Sequence, residues 1–367
     1  MLLLSSAGYL GSLSSTHSVC DEDQPTPIRV EDATGVATLQ AALNCAGSGE
    51  VEAEWAGYVP VGTPIEVGEG TYLSVTGADD VAEVHGVASQ SNITRLFEVS
   101  QGGGLTLTRL KLSGGSAGTG GAVHSLDANL TLENCVFDGN VATDGSGGAV
   151  WADRGAVTIV GGEFLRNTAT RYGGAVHATS SSLEVRGGSR FENNTAIGGG
   201  ALFCGLSDVG SDEEPVSCFI TDAEFVSNTA AYESEPDIDD DFSYLDGGGA
   251  AMFLFAIVNI TDSVFLKNVA MRSGGALHGG HHTNVSVSGC KFVINNSEKF
   301  GGAISAASMT LGGGTQLTDN SALNAGGAVS ADCTYSGAWC FDTFHEVLFM
   351  FSVCFRYTSI QSSVLFR

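Results

Sequence analysis

The sequence predicts an all-β chain folded as a parallel β-helix, and three recurring features between Gly120 and Val329 lead to that prediction. A Gly-Gly-Ala-apolar tetrad occurs eight times, at intervals of 25 to 27 residues apart from one interval of 49. Between tetrads, Phe or Leu is followed three places later by Asn, and an apolar pair at i and i+2 precedes that phrase. Such a period is typical of solenoids, in which each coil buries its apolar face on its neighbours.

The three features predict three short strands per coil of about 26 residues, with coils ~4.8 Å apart. The tetrads begin at Gly120, Gly147, Gly173, Gly199, Gly248, Gly274, Gly301 and Gly326. The Asn residues are Asn140, Asn167, Asn194, Asn228, Asn268, Asn295 and Asn320. We expect the Gly pairs to form corners, the Phe residues to stack inside, and the Asn residues to form a hydrogen-bonded ladder.

The same features divide the chain into three parts. We predict a leader over 1–35, a β-helix domain over 36–333 and an atypical tail or cap over 334–367. Within the domain, 36–50 is the N-terminal cap, 51–119 forms irregular coils, and the strict repeats of 120–333 contain loops at 205–217 and 232–246. The helical spacing of Leu39 and Leu43 predicts a short capping helix over Leu39–Ala46, which covers the open end of the first coil.

Charge limits the classes of partner. The formal net charge of −26 excludes a nucleic-acid partner, because phosphate backbones require clustered Lys and Arg. No stretch is long and apolar enough to predict an integral membrane span. We interpret the acidic loop 232–246 as a solvated loop, with a Ca²⁺ site as the alternative. Its proposed ligands are Asp237, Asp239, Asp240 and Asp241, and no other cofactor is predicted.

Cysteines and sequons suggest an oxidising, secreted setting. Cys204 and Cys218 flank the first loop on the inward side and are predicted to form a disulfide. Cys20 with Cys45, and Cys333 with Cys340, are further pairs close in sequence. Predicted glycosylation sites are Asn92, Asn129, Asn259 and Asn284, whereas Asn295 is expected to serve the ladder.

The position two after each tetrad Ala is predicted to form an exposed column on one side of the solenoid. It contains His124, Trp151, His177, Phe203, Met252, His278, Ser305 and Ser330. We interpret this column as a surface stripe that contributes to a partner-binding face. Acidic residues on the regular coils occur singly and without a matching Arg column, so the sequence predicts no catalytic site and no enzyme.

The alternation of Gly-Gly-Ala-Ile-like and Phe-x-x-Asn phrases resembles the repeat of the chlamydial polymorphic outer membrane proteins. It is also similar to pectin-lyase-like right-handed β-helix proteins that carry this repeat. The match is strong over Gly120–Val329 and loose over Val51–Ser113. This resemblance implies a right-handed helix, a surface or secreted location, and adhesion.

Together, these observations predict a non-enzymatic, extracellular or cell-surface β-helix that binds protein or glycan partners along its flat faces. The alternative is a pectin-lyase-like carbohydrate-active enzyme, either a polysaccharide lyase or a glycoside hydrolase. An acid pair and an Arg brought together on one face by the fold would favour that alternative.

Overall fold

The computed structural model describes residues 26–80, 82–87, 94–206, 214–231 and 247–330, together with the backbone of 343–344 and 364–365. From Ile28 to Ser330, the strands of successive coils pair in parallel. The predicted parallel β-helix with a short N-terminal capping helix is therefore confirmed.

Two rows of strands form one continuous 20-stranded sheet, because two long strands run through both rows. The tetrad row consists of Ile65–Val67, Phe97–Val99, Val123–Leu126, Val150–Asp153, Val176–Thr179, Leu202–Gly205, Ala251–Leu254 and Val329–Ser330. The second row consists of Ile28–Val30, Glu50–Trp55, Tyr72–Gly77, Gly104–Thr108, Asn129–Glu133, Ala156–Val160, Ser182–Arg186, Val216–Thr221, Ala256–Thr261 and Thr343–Phe344. The strands shared by both rows are Leu277–Ser288 and Ile304–Gly312.

The Phe sheet has eleven strands, and its last pairing is antiparallel. Its strands are Tyr58–Val61, Glu83–Gly86, Lys111–Ser113, Val136–Asp138, Glu163–Leu165, Ser189–Glu192, Ala223–Val226, Val264–Leu266, Lys291–Val293, Gln316–Thr318 and Val364–Leu365.

A fourth strand, which the sequence pattern did not predict, belongs to each coil of an eight-stranded sheet; seven of these strands follow a ladder Asn, and the first precedes the strict repeats. Its strands are Ser116–Ala117, Val141–Ala142, Thr168–Ala169, Thr195–Ala196, Thr229–Ala230, Val269–Ala270, Asn296–Ser297 and Ser321–Ala322. Two residues are too few to show a period, so only the stacked coils reveal this strand.

Helix α1, Ala33–Ala46, covers the N-terminal end of the solenoid. Asp32 caps it by accepting hydrogen bonds from the backbone N–H groups of Thr34 and Gly35, both at 2.9 Å. Leu39 and Leu43 are its buried residues. The Gln40 amide accepts from Glu66 N at 2.8 Å and donates to Glu66 O at 3.0 Å, so it satisfies backbone groups at the sheet edge.

The predicted domain boundaries differ from the structure at the N-terminus. Ile28–Val30 pairs with the strand Glu50–Trp55, and α1 begins at Ala33 rather than Leu39. The predicted leader over 1–35 is therefore wrong for residues 28–35, because the Asp32 cap starts the helix six residues before the apolar spacing becomes visible. Residues 207–213, 232–246 and most of 334–367 lie outside the described residues.

Two stacks run through the interior of the strict coils. Six Phe rings stack with centroids 4.6 to 4.9 Å apart and planes within 5°. In the Asn ladder, each side-chain amide donates to the Asn Oδ1 of the next coil at 2.9 to 3.1 Å. That same oxygen accepts from the backbone N–H of the preceding Asn at 2.9 to 3.0 Å. The buried polar groups at the corner of each coil are therefore hydrogen-bonded to groups of the adjacent coils.

The Gly pair is required for two different reasons. Gly173 has φ +61°, a left-handed conformation that residues with a Cβ resist. At Gly174, an added Cβ would lie 2.1 Å from the carbonyl oxygen of Gly200 in the next coil. The first Gly therefore permits the corner, and the second permits the close stacking of coils.

Candidate functional site

The outward side of the tetrad row, here called the tetrad face, contains the candidate site. The column of side chains predicted at the position two after each tetrad Ala runs along the middle of this face. Strand register extends this column toward the N-terminus by two glutamates. In order, it contains Glu66, Glu98, His124, Trp151, His177, Phe203, Met252, His278 and Ser305.

The prediction that this column is exposed is wrong for its middle part. His177 is 7 % exposed, Phe203 3 % and Met252 0 %, and Ser305 is also buried. Phe203 and Met252 form a small apolar cluster with Leu254 outside the main core, and Tyr172 and Phe255 pack against it. Alternation along the strand correctly places these side chains outside the coil, but chain segments next to the strands cover them. His124 and Trp151 remain half-buried.

The rings of the column form two separate stacks. His124 and Trp151 stack with centroids 4.3 Å apart and planes 12° apart. His177 and Phe203 stack at 4.5 Å, also with planes 12° apart, and Tyr172 lies 6.4 Å from His177. Trp151 and His177 are partners in register, yet among the described residues they make no ring contact with each other.

Charged groups border the half-buried His124–Trp151 pair. Arg154 binds both carboxylate oxygens of Asp127, at 2.6 and 3.1 Å, and contacts Asp153 at 2.6 Å. Its hydrogen bond to Asp127, with a second from Gln101, lowers the pKa of that carboxyl. The face thus presents aromatic rings beside groups that hold a fixed hydrogen-bonding geometry.

At the N-terminal end of the face, the fold brings two carboxylates and a guanidinium together. Glu66 and Glu98 are register partners on neighbouring strands, and both line a cleft of about 470 Å³. Arg95 donates to Glu98 Oε2 at 3.0 Å and to the carbonyl oxygen of Thr119 at 2.9 Å. The apolar-Glu-apolar pattern shared by Ile65–Val67 and Phe97–Val99 is the sequence feature that identifies this pair.

Burial changes the protonation of the two histidines. Desolvation lowers the pKa of His177 to about 3. Desolvation, with a smaller contribution from Arg95, lowers the pKa of His124 to about 4. Both rings are therefore neutral at pH 7. His177 Nδ1 and the hydroxyl of Thr179, which is 3 % exposed, are buried and have no hydrogen-bond partner.

The predicted disulfide between Cys204 and Cys218 is present. Cys45 is also disulfide-bonded, while Cys135 and Cys290 are buried free thiols. Cys20, Cys333 and Cys340 lie outside the described residues.

Of the predicted glycosylation sites, Asn129 and Asn284 are exposed and Asn259 is half-buried. Asn295 is fully buried in the ladder. Asn92 lies outside the described residues, as do the Ca²⁺ candidates Asp237, Asp239, Asp240 and Asp241. Within the described ranges, no group of three or more His, Cys, Asp or Glu residues is arranged to hold a metal ion. The described residues also contain no helix with the length and apolarity that a membrane crossing requires.

Comparison with known proteins confirms the repeat. The family model of the Chlamydia polymorphic membrane protein repeat matches residues 134–153, which contain one Phe-x-x-Asn phrase and one tetrad. No curated protein matches the chain. Among solved structures, the chain is similar to the catalytic unit of a thermostable GH87 α-1,3-glucanase from Streptomyces thermodiastaticus strain HF3-3. The identity is 14 %, the TM-score is 0.30, and the match covers 84 % of this chain and 69 % of the glucanase chain.

The prediction that the protein is not an enzyme is corrected by these findings. A structural neighbour is the catalytic unit of a glucanase, although that match is too distant to assign an activity, so the enzymatic status is unresolved. The premise of the prediction covered only the regular coils. In the irregular coils, Glu66 and Glu98 are register partners, and Arg95 binds Glu98. The chain is a β-helix that carries this repeat, and the tetrad face is its candidate site.

Proposed function

We propose that the protein is an extracellular or cell-surface β-helix that binds a glycan partner on the tetrad face. The disulfide between Cys204 and Cys218 supports an oxidising location. Asn129 and Asn284 are exposed and remain our proposed glycosylation sites.

The half-buried stack of His124 on Trp151 carries the proposal. Indole and imidazole rings offer flat apolar faces that suit the C–H face of a sugar ring, and they lose little conformational entropy on binding. The Arg154 network beside them offers charged hydrogen-bonding groups that are already held in place by Asp127 and Asp153. A face with few aromatic and many fixed polar groups fits hydroxyl-rich ligands better than it fits an apolar protein surface.

Replacing Trp151 by Ala is expected to weaken glycan binding at least about tenfold, because buried aromatic anchors dominate binding energy. The measurement is retention of the purified chain on a glycan array, followed by calorimetry with the retained glycan.

The matched control is Phe219→Ala. Phe219 is 45 % exposed and lies on the second row rather than on the tetrad face. The Phe219→Ala variant should bind the glycan as the wild type does. Thermal unfolding curves would first show that Trp151→Ala and the wild type are both folded. Equal glycan binding by these two proteins would then contradict the proposal.

A second candidate function is glycoside hydrolysis by Glu66 and Glu98. Their strands lie ~4.8 Å apart, so the backbone places two glutamates on one face at a spacing compatible with the ~5 Å carboxyl separation of retaining glycosidases. In this candidate, Glu98, which accepts a hydrogen bond from Arg95, is assigned as the nucleophile and Glu66 as the proton donor. The aromatic pair beside this cleft would then hold the adjoining sugar.

If this candidate is right, Glu98→Gln lowers the release of reducing ends from neutral polysaccharides by about 10² to 10⁴-fold. Glu184→Gln is the matched control, because Glu184 is an exposed glutamate paired with Arg186 on the second row. Wild-type protein that releases no reducing ends would eliminate hydrolysis while leaving the glycan-binding proposal intact.

A further inference from the structure

We propose that the outer face of the second row carries N-linked glycans, and that the first sugar of each glycan packs on an exposed apolar side chain on its N-terminal side. The three pairs are Asn129 with Tyr72, Asn259 with Phe219, and Asn284 with Ile257. This inference rests on the extracellular location proposed above, and it concerns a face that the glycan-binding proposal does not use.

Each of these asparagines begins a sequon whose two essential side chains share one face of a strand. The hydroxyl residues of the three sequons are Thr131, Thr261 and Ser286. Residues two apart in a strand point to the same side, so the amide and the hydroxyl group both lie on the outer face. Asn129 and Asn284 are exposed there, and Asn259 is half-buried.

Exposed large apolar side chains on this row occur beside the sequons. Among the described residues of the second row, those with 44 to 47 % exposure are Tyr72, Phe219 and Ile257. Phe219 is the register partner of Asn259 on the neighbouring strand. Ile257 stands in the same relation to Asn284. Neighbouring strands lie ~4.8 Å apart, so each apolar side chain is within reach of a sugar attached to its partner.

The geometry is best defined at Asn129. Tyr72 and Asn129 are both register partners of Gly104, which lies between them. A Cβ added at Gly104 would lie 2.7 Å from Tyr72 Cδ1, so the Tyr72 ring lies over this glycine and extends toward Asn129. On the other side, Asn129 Oδ1 accepts from Ala156 N at 3.1 Å. Nδ2, the other branch of the planar amide, is therefore directed back toward Gly104.

Nδ2 is the atom that N-linked glycosylation modifies. In the transfer from a lipid-linked sugar diphosphate, Nδ2 replaces the diphosphate at C1 of the first sugar. One N–C bond forms, one C–O bond breaks, and Nδ2 loses a proton. At Asn129 the attached sugar begins beside the Tyr72 ring, and its C–H groups cover apolar area that otherwise contacts water.

One protein partner fits these side chains less well. The strands of Tyr72 and Phe219 are separated by four other strands of the second row. The two rings therefore do not belong to one continuous apolar patch of the kind that marks a protein interface. Each is instead matched with a sequon of its own, which favours one sugar at each site.

The test is hydroxyl-radical footprinting of the full chain, secreted by a eukaryotic host behind an added signal sequence. Mass spectrometry measures the glycan on Asn129 and the oxidation of Tyr72. Thr131→Ala removes the sequon but keeps Asn129 and its hydrogen bond to Ala156. We expect Tyr72 to be oxidised about twofold faster in Thr131→Ala than in the wild type, since a sugar covers one of the two ring faces. Trimming the wild-type glycan to its first sugar should preserve the protection.

Tyr58 is the internal control, because it is also exposed but lies on the Phe sheet, and its oxidation should be the same in every sample. A secreted wild type without sugar on Asn129 would overturn the inference. Equal oxidation of Tyr72 in the glycosylated wild type and in Thr131→Ala would do the same. Retention of a glycan by the tetrad face is measured separately on the array, so either proposal can fail without the other.

The other two pairs are tested in the same way. Thr261→Ala should raise the oxidation of Phe219, and Ser286→Ala should raise that of Ile257. Phe300, which is exposed and lies outside the second row, is the control for both. Oxidation that does not change when the neighbouring glycan is lost would overturn the pairing at that site.

Discussion

Replacing Asn228 by Ala is expected to lower the free energy of unfolding by about 4 kcal/mol or more, because it removes one rung from the middle of the Asn ladder. Asn228 Oδ1 accepts from both the backbone and the side chain of Asn194, each at 3.0 Å. Its amide donates to Asn268 Oδ1 at 3.0 Å and to the carbonyl oxygen of Phe191 at 2.9 Å. Several buried groups lose a partner at once.

The measurement is urea unfolding of the two proteins at pH 7. Asn320→Ala is the control at the end of the ladder, where Asn320 accepts from Asn295 but is only half-buried. Water can replace the hydrogen bonds of Asn320 there, so Asn320→Ala should lower the free energy of unfolding much less than Asn228→Ala does. Equal losses at the two positions would mean that the ladder does not hold the coils together.

Replacing His177 by Phe is expected to protect the protein from acid by several kcal/mol. The pKa of His177 is lowered to about 3 by burial, whereas an unfolded histidine titrates near 6.5. The unfolded state therefore binds a proton at a pH where the native state does not. The stability that depends on this site is complete above about pH 6.5 and is lost as the pH falls toward 3.

Each pKa unit is worth about 1.4 kcal/mol, so the loss reaches on the order of 4 kcal/mol near pH 3. Phe keeps the stack against Phe203 and has no titrating nitrogen. Urea unfolding at pH 7, 5 and 4 should show a growing advantage for His177→Phe. His282→Asn, an exposed position where φ is +49°, is the control and should follow the wild type. Parallel pH profiles for His177→Phe and the wild type would contradict the assigned burial.

The repeat phrases predicted most of the fold, because each phrase has a local physical reason. The Gly corners, the stacked Phe rings and the Asn ladder follow from residue type and period alone. The strand Thr168–Ala169 and its equivalents could not be predicted, since two residues show no alternation. The start of α1 was missed because a single Asp32 cap, rather than apolar spacing, determines it.

The site was less predictable than the fold. Alternation placed His177 outside the coil, but its burial depends on Tyr172 and on packing between coils, which no local pattern records. The register of Glu66 with Glu98 lies in the irregular coils, where no repeated phrase fixes the length of a turn. The features that could not be predicted are therefore the register of strands far apart in sequence and the packing that buries outward side chains.

The most direct test of the glycan-binding face is a fluorescence titration with a glycan that the array retains. The chain has three tryptophans, and Trp55 is fully buried in the core. The account predicts a saturable change in the tryptophan emission of the wild type and the loss of that change in Trp151→Phe. Calorimetry measures glycan binding to each protein in parallel. The same emission change in both proteins, or binding measured by calorimetry without any change in the wild type, would show that the glycan does not contact Trp151.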